Sequence, residues 1–353
     1  MSDNLVKTLS SIGKKTEVYE SVDGSRLLLL PYGARILGLY AAENDENFYW
    51  VNHALEQSDS ARTLFESKGW QNTGGDRTWV TPELDIFFPD YPRVQKHWEP
   101  PQLDASEYRL EKSGDGVQMG KTMTLHFARP CRDARLKLVK WVGPASNPIR
   151  YEGDMQEHLK AVQYAGYTQR TTLELTEEDS NAGVQAGVWN LIQLPHGGDL
   201  LVPTYSKTEP RILFGDIPPK YLICGEHLVR FRVCFPGEHK IALRTAVTTG
   251  RVGYLYSSAW QWSLVIRNFF VNPSGEYVDV PKNEPEDLGY SVNAVNVDSA
   301  LGDFCELEYH APAVGHDTGQ SHCVDVSQVW AFRGSKESIN AIARGLLGAG
   351  IEL

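Results

Sequence analysis

Short strand-like segments recur from one end of this chain to the other, and helical rhythm is almost absent. "TEVYES", "RLLLLP", "ARILGLYA", "NFYWV", "SEYRLEK", "KTMTLHF", "RLKLVKWV", "RTTLELT", "VRFRVCF", "HKIALRTAV", "SLVIRNFFV" and "FCELEY" alternate apolar with polar residues and are parted by Gly, Pro, Asn or Asp. No strand–helix–strand alternation intervenes, which argues against a parallel sheet. No fixed-period repeat and no low-complexity linker divides the 353 residues. The pattern therefore predicts an all-β, mostly antiparallel sandwich of two sheets, a single domain over 1–353 with a few short helices. One helix is expected in "SDSARTLFESKG", capped by Ser58 or Ser60 and ended by Gly69. A second is expected in "SKESINAIARGLLG", with Ser335 as N-cap, Ile339, Ile342 and Leu346 on one face, and Gly345 and Gly348 as breakers.

Charge narrows the partners. A net charge of −11 and no basic stripe disfavour nucleic acid and anionic membranes. The first residues carry no apolar signal core, and the longest apolar run, "RLLLLPYGARILGLYAA", is broken by Pro31, Gly33 and Arg35. Five cysteines without CxxC spacing read as buried thiols in a reducing compartment, so the protein is expected to be soluble and cytoplasmic. Oligomeric state is not legible. The 9 Trp, 16 Tyr and 12 Phe serve a β-core equally well as they serve a ligand whose apolar faces stack on rings, such as a neutral sugar.

Several stretches carry more polar chemistry than their local structure needs. "NTGGDRTWVTPE" (72–83) combines a glycine pair, Arg77 as a fork-shaped donor, Trp79 as a stacking face and Glu83 behind Pro82. It reads as a ligand-gripping loop or as a structural loop in which Asp76 and Arg77 pair locally. In "FCELEYHAP", strand alternation puts Glu306, Glu308 and His310 on one face and Cys305, Leu307 and Tyr309 on the other. Such a face looks at solvent or at a cleft; in a cleft, neighbouring like charges raise one carboxyl pKa towards neutrality and suit it to general acid–base work. In "GVWNLIQLPHGGDLLVPT", Trp189, Leu191 and Gln193 share a face, and His196 sits on a tight turn from which it can reach a cleft or solvent. His97 and Trp98 read as a surface hairpin or a second ligand contact. "FFVNPSGEYVDVP" reads as a hairpin turning at Pro273-Ser274-Gly275. "SQVWAFRG" reads as an edge or closing strand, with Trp330 in the core. His310, His316 and His322 cluster near Asp317, but their spacing matches no zinc signature, so no metal is assigned. No phosphate loop, dinucleotide fingerprint, GxSxG or HExxH is present, and no cofactor is implied.

Taken in order, "GARILGLY", "GGDRTWVTPE", "VWNLIQLPHGG" and "ELEYHAP" make the chain resemble the galactose mutarotase superfamily, closest to aldose-1-epimerase-like proteins of unassigned function. The resemblance implies a β-supersandwich that binds a small-molecule sugar on its concave sheet. Family mutarotases open a pyranose ring with a late carboxylate as base and a central histidine as acid. Carried over, Glu308 or Glu306 is the base, and Arg77, Trp79, Glu83, His97 and Gln193 contact sugar. Trp189, Asn190 and Leu191 match the central motif, but Ala186 stands where the catalytic histidine is expected. The acid is then His196, His310 or His97; otherwise the chain is a non-catalytic sugar-binding module, or runs a lyase-like reaction on a uronic-acid-type sugar, for which Arg77 is a suitable partner.

Overall fold

The computed structural model describes residues 3–180, 183–258 and 261–348, without the side chains of Asp3, Glu177 and Asp317. The strands, in chain order, are β1 (Glu17–Glu20), β2 (Arg26–Leu30), β3 (Arg35–Tyr40), β4 (Asp76–Thr81), β5 (Arg109–Ser113), β6 (Gly116–Phe127), β7 (Arg132–Pro144), β8 (Val162–Leu175), β9 (Gln185–Pro195) and β10 (Gly198–Pro203). They continue with β11 (Arg211–Phe214), β12 (Leu222–Cys224), β13 (Leu228–Val233), β14 (Gly237–Leu243), β15 (Arg251–Ser258), β16 (Gln261–Phe269), β17 (Val292–Ser299), β18 (Gly302–His310), β19 (Val314–Gly315) and β20 (His322–Gly334). The first sheet runs β1-β2-β3-β4-β9-β18-β17-β14-β11, with β19 also on β9. The second runs β12-β13-β10-β15-β16-β20-β8-β7-β6-β5. Neighbouring strands pair antiparallel, so the two-sheet all-β sandwich that the alternation implies is the architecture found.

One continuous core fills the space between the sheets, with Leu27, Ile36, Val188, Ile192, Leu307, Leu138 and Val329 among its members. Three smaller clusters sit outside it among the described residues, one of them joining Trp50 to Val295, Val297 and Phe304 of β17 and β18. The α-helices, in chain order, are α1 (Asp3–Ser11), α2 (Ser58–Glu66), α3 (Glu83–Ile86), α4 (Gln156–Lys160), α5 (Glu177–Ser180) and α6 (Lys336–Leu347). Helix α6 lays Ile339, Ile342 and Leu346 over Leu255, Leu264 and Trp330 of the second sheet. Helices α1 (Asp3–Ser11) and α2 (Ser58–Glu66) cover Leu28, Leu30 and Leu37 at one end of the first.

Several local expectations are corrected. Ser335 caps α6, but Gly345 lies inside that helix and only Gly348 ends it, because packing of the apolar stripe outweighs the roughly 1 kcal/mol cost of an interior glycine. Helix α2 starts after Gln57 and stops at Ser67, before Gly69. "NFYWV" is not a strand; Val51 makes an isolated bridge to Gly74 while Phe48, Tyr49 and Trp50 are buried. After the turn at Pro273 no second strand forms through Val280. The "SQVWAFRG" stretch lies in β20, which is paired on both sides by β16 and β8 and so is no edge. Of the cysteines, Cys305 is buried, but Cys131 and Cys234 are exposed.

Candidate functional site

Register across the first sheet assembles the site. Gln193, Glu306, Val295, Lys240 and Phe214 form one cross-strand row over β9, β18, β17, β14 and β11. The next row on the same face holds Arg77, Leu191, Glu308 and Asn293, and the next Trp79, Trp189 and His310. Alternation sends the intervening residues, Asp76, Ile192, Leu307 and Ala294, towards the second sheet. The polar rows therefore lie on the outer face, under loops that bring in Trp70, Glu83, His97, Glu99 and Lys282. Together they bound a cleft of about 420 Å³, within the range of small-molecule sites.

The "GGDR" stretch is what couples this face to the rest of the fold. Gly74 and Gly75 have φ of +89° and +76°, and a Cβ on Gly75 would lie 2.2 Å from the Ile36 carbonyl. Only glycine fits a chain that close. Gly75 N–H donates to the Trp50 carbonyl and its own carbonyl accepts from Gln193 N–H, both at 2.9 Å. Asp76 does not pair with Arg77. Fully buried, it accepts from Lys140 of β7, from Arg267 of β16 and, at 2.7 Å, from the Tyr167 hydroxyl of β8. Burial opposes ionisation of Asp76, but Lys140 and Arg267 outweigh it and hold the carboxyl below its ordinary range. One residue on, Arg77 faces the cleft.

There the Arg77 guanidinium lies 4.1 Å from the Trp79 ring centre and 4.9 Å from that of Trp70. Its Nη2 donates to Glu306 Oε1 at 2.7 Å, and Gln193 Nε2 donates to the same oxygen at 2.8 Å. Arg77 Nε and Nη1 and Gln193 Oε1 are buried without a hydrogen-bond partner among the described residues. Trp79 and Trp189 meet edge to face at 5.4 Å. Trp79 Nε1 donates to Asp104, which Arg35 also engages. These fixed rings form an aromatic wall beside a row of hydrogen-bonding groups.

Deeper down, the Lys240 ammonium sits 3.2 Å from Glu308, 3.9 Å from Glu83 and 4.8 Å from the Trp189 ring centre. Despite the cost of burial, Glu308 and Glu83 hold it charged. Glu308 Oε2 also accepts from Trp189 Nε1 at 2.9 Å, while its Oε1 has no hydrogen-bond partner among the described residues. Burial first, and then Glu306, push the Glu308 carboxyl up to about 7 despite Lys240. Glu306 is also buried, yet Arg77 and Lys240 keep it below its ordinary value. Two carboxyls one strand-repeat apart are thus held in opposite protonation tendencies, the arrangement that separates acid from base roles. Asp279, which accepts from Glu83 N–H at 2.8 Å, is raised to about 6 by burial and by Glu83.

The expected site residues therefore distribute unevenly. Arg77, Trp79, Glu83, His97 and Glu306 line the cleft, and Gln193 sits on its floor holding Glu306. Glu308 lies beneath, fully buried behind Lys240 and Trp189. His97 stacks on Phe87 at 5.7 Å and lies 3.2 Å from Glu99 and 3.8 Å from Glu83. His310 is buried, with Nδ1 3.0 Å from the Tyr290 carbonyl; burial and Lys240 lower it to about 3, so it stays neutral. His196 lies 3.1 Å from Asn296, whose amide ties to Phe235 and Gly237 on the face away from the cleft. Ala186 is two residues before Val188 in β9, so alternation points it to the inter-sheet core. His322 is exposed on β20 while His310 is buried in β18, and the Asp317 side chain lies outside the described residues. No cluster of three or more metal-ligating side chains occurs among the described residues.

Sequence reasoning missed Trp70, Lys240, Asp279 and Glu99. Lys240 had a signal: a lone cation in the apolar run "HKIAL", where a central strand tolerates charge only with a partner. Trp70 and Asp279 come from irregular segments whose path no periodicity reveals.

Fold and site define a two-sheet antiparallel β-sandwich with an aromatic, carboxylate-floored cleft on one sheet. The chain belongs to a family of unknown function, DUF6786, whose model matches residues 4–353. No curated protein matches it. Among solved structures it is similar to a galactose 1-epimerase from Lactobacillus acidophilus NCFM (12% identity, TM-score 0.40, 92% of this chain and 100% of that one). It is also similar to a GalM/aldose epimerase homologue from C. elegans (9% identity, TM-score 0.40, 92% and 100%). A third is the 4-alpha-glucanotransferase from Thermococcus litoralis (10% identity, TM-score 0.37), of which this chain spans 41% of the length. At these values no residue role is transferred from them. No described helix is long and apolar enough to cross a membrane.

Proposed function

We propose that the cleft binds a saccharide and opens its ring at the anomeric carbon by acid–base chemistry. The observation that carries this reading is the pairing of a Trp70–Trp79–Trp189 wall with Arg77, Gln193, Glu306 and Glu308 on adjoining rows of one sheet. A pyranose has two apolar ring faces and a rim of hydroxyls, and this cleft offers rings to the first and fixed donors and acceptors to the second. Arg77, Gln193, Glu83 and Glu306 hold hydroxyls. Glu308, half ionised near neutral pH, takes the anomeric proton once Lys240 swings aside on its flexible stem. His97 is the imidazole that lines the cleft, and it protonates the ring oxygen. The sealed position of Glu308 favours a second reading, a saccharide-binding module without turnover.

Saturation-transfer NMR of the protein with a panel of hexoses and pentoses, recorded with α/β anomer exchange in the same samples, separates the two. Binding with accelerated exchange, the exchange lost in Glu308→Gln, is the expected result. Binding without exchange leaves the binding module. Absence of binding by every sugar overturns both.

A further inference from the structure

The segment His97–Pro100 sends alternate residues to two separate cavities, and helix α3 (Glu83–Ile86) also contributes to both. Glu83, His97 and Glu99 line the main cleft; Asp85, Ile86, Trp98 and Pro100 line a second cavity of about 210 Å³ behind them. A single thickness of chain stands between the two. It is held in place by Trp98 N–H donating to the Phe87 carbonyl at 2.9 Å and by the bidentate Asp85–Arg129 pair.

The second cavity has the composition of a sugar site and lacks that of a core defect. Trp98 is 42% exposed, an indole left open rather than packed away. Opposite it, Thr124 and His126 share one face of β6, and His126 pairs in register with Asp133 of β7. His126 Nδ1 and Asp133 Oδ1 are 2.7 Å apart, leaving Nε2 and the second carboxylate oxygen for a ligand. Gln102 adds an amide, which both donates and accepts. Thr124, His126 and Asp133 stand on a rigid two-strand ladder, the support that precise recognition requires.

We propose that this cavity is a second saccharide subsite, so that the ligand is an oligosaccharide that crosses the His97–Pro100 strap, one end in the main cleft and the next ring on Trp98. This rests on the saccharide reading of the main cleft. It adds a ligand class, a linked chain of neutral sugars rather than a free monosaccharide.

Isothermal titration of the full chain with glucose, galactose, and the di- and trisaccharides maltose, cellobiose, lactose and maltotriose tests it. At least one oligosaccharide should bind more tightly than its component monosaccharide. Trp98→Ala should weaken that oligosaccharide about tenfold, the scale of one lost stacking contact, and leave the monosaccharide unchanged. His126→Ala, at an exposed strand position with little consequence for folding, should act in the same direction. Equal affinity for monosaccharides and oligosaccharides, or oligosaccharide binding untouched in both variants, overturns the second subsite and leaves the main-cleft reading standing. Absence of binding by every sugar overturns both together.

Discussion

Replacing Asp76 by Asn tests whether the inter-sheet charge cluster supports the cleft. In the native chain one carboxylate, wholly buried, satisfies Lys140, Arg267 and the Tyr167 hydroxyl. The amide is isosteric, so packing is preserved. It has one acceptor oxygen against three converging donors, and its NH2 must face at least one of them. Two buried cations lose their counter-charge. Breaking such a buried pair costs about 3–5 kcal/mol, a large part of a typical domain's stability. Lys140, held down at about 8 chiefly by burial, can shed its proton and bring the loss to the lower end of that range. Urea denaturation followed by tryptophan fluorescence measures it as a fall in midpoint at unchanged slope. The double variant Asp76→Asn/Lys140→Met removes one stranded cation and should recover part of the loss. The sign with pH is also fixed. Because the folded carboxyl titrates below its ordinary 3.8, its contribution is present above that value and is lost as pH falls through the folded pKa, so the gap between wild type and variant narrows in acid. A loss below about 1 kcal/mol, or a double variant no more stable than the single one, would refute the argument.

Further outcomes follow from the cleft. Glu308 is raised from 4.5 to about 7, so its neutral form is the one the fold favours; that contribution is complete below pH 4.5 and disappears as pH climbs through 7. Relative to wild type, Glu308→Gln should therefore gain about 2–4 kcal/mol in urea between pH 4 and pH 8, and a flat difference would show that the carboxyl is not perturbed. In the same window anomer exchange by the wild type should rise as Glu308 ionises, a limb absent from the Gln variant; a shared limb would assign it elsewhere. Arg77 and Lys240 already face Glu306 and Glu308, so glucuronate should bind more weakly than glucose in a titration, and tighter uronate binding would revive a lyase-like reading. Gly75→Ala forces a methyl group against the Ile36 carbonyl at positive φ and should cost about 1–3 kcal/mol of thermal stability; an unchanged melting temperature would mean the turn relaxes freely.

How far the sequence could be read follows from which signals are local. Strand alternation is local, and it marked β18 correctly: Glu306, Glu308 and His310 do share a face. Alternation says nothing of what covers a face, so it could not tell that His310 and Glu308 are buried while Glu306 borders the cleft. It likewise could not say that Asp76 looks inward and Arg77 outward until the neighbours of β4 were known. The identity of partners such as Lys240 and Glu308, or Arg77 and Glu306, depends on strand order, a non-local property. The irregular stretches that bring Trp70, Glu99 and Asp279 to the site follow tertiary contacts rather than any period, and these residues were invisible for that reason.

Strand order also bears on the time course of folding. The rows of the cleft all cross β9 and β18, two of them reach β4, and Arg77 and Glu306 are 229 residues apart in the chain. Contacts so distant close slowly, after the nearer hairpins such as β6–β7 and β15–β16 have formed. During synthesis β4 can pair with β3 and β9, but the far edge of β9 stays open until β18 has emerged. No N-terminal fragment short of β18 can hold the site, and the interval before it arrives is when this chain is most exposed to wrong strand pairing.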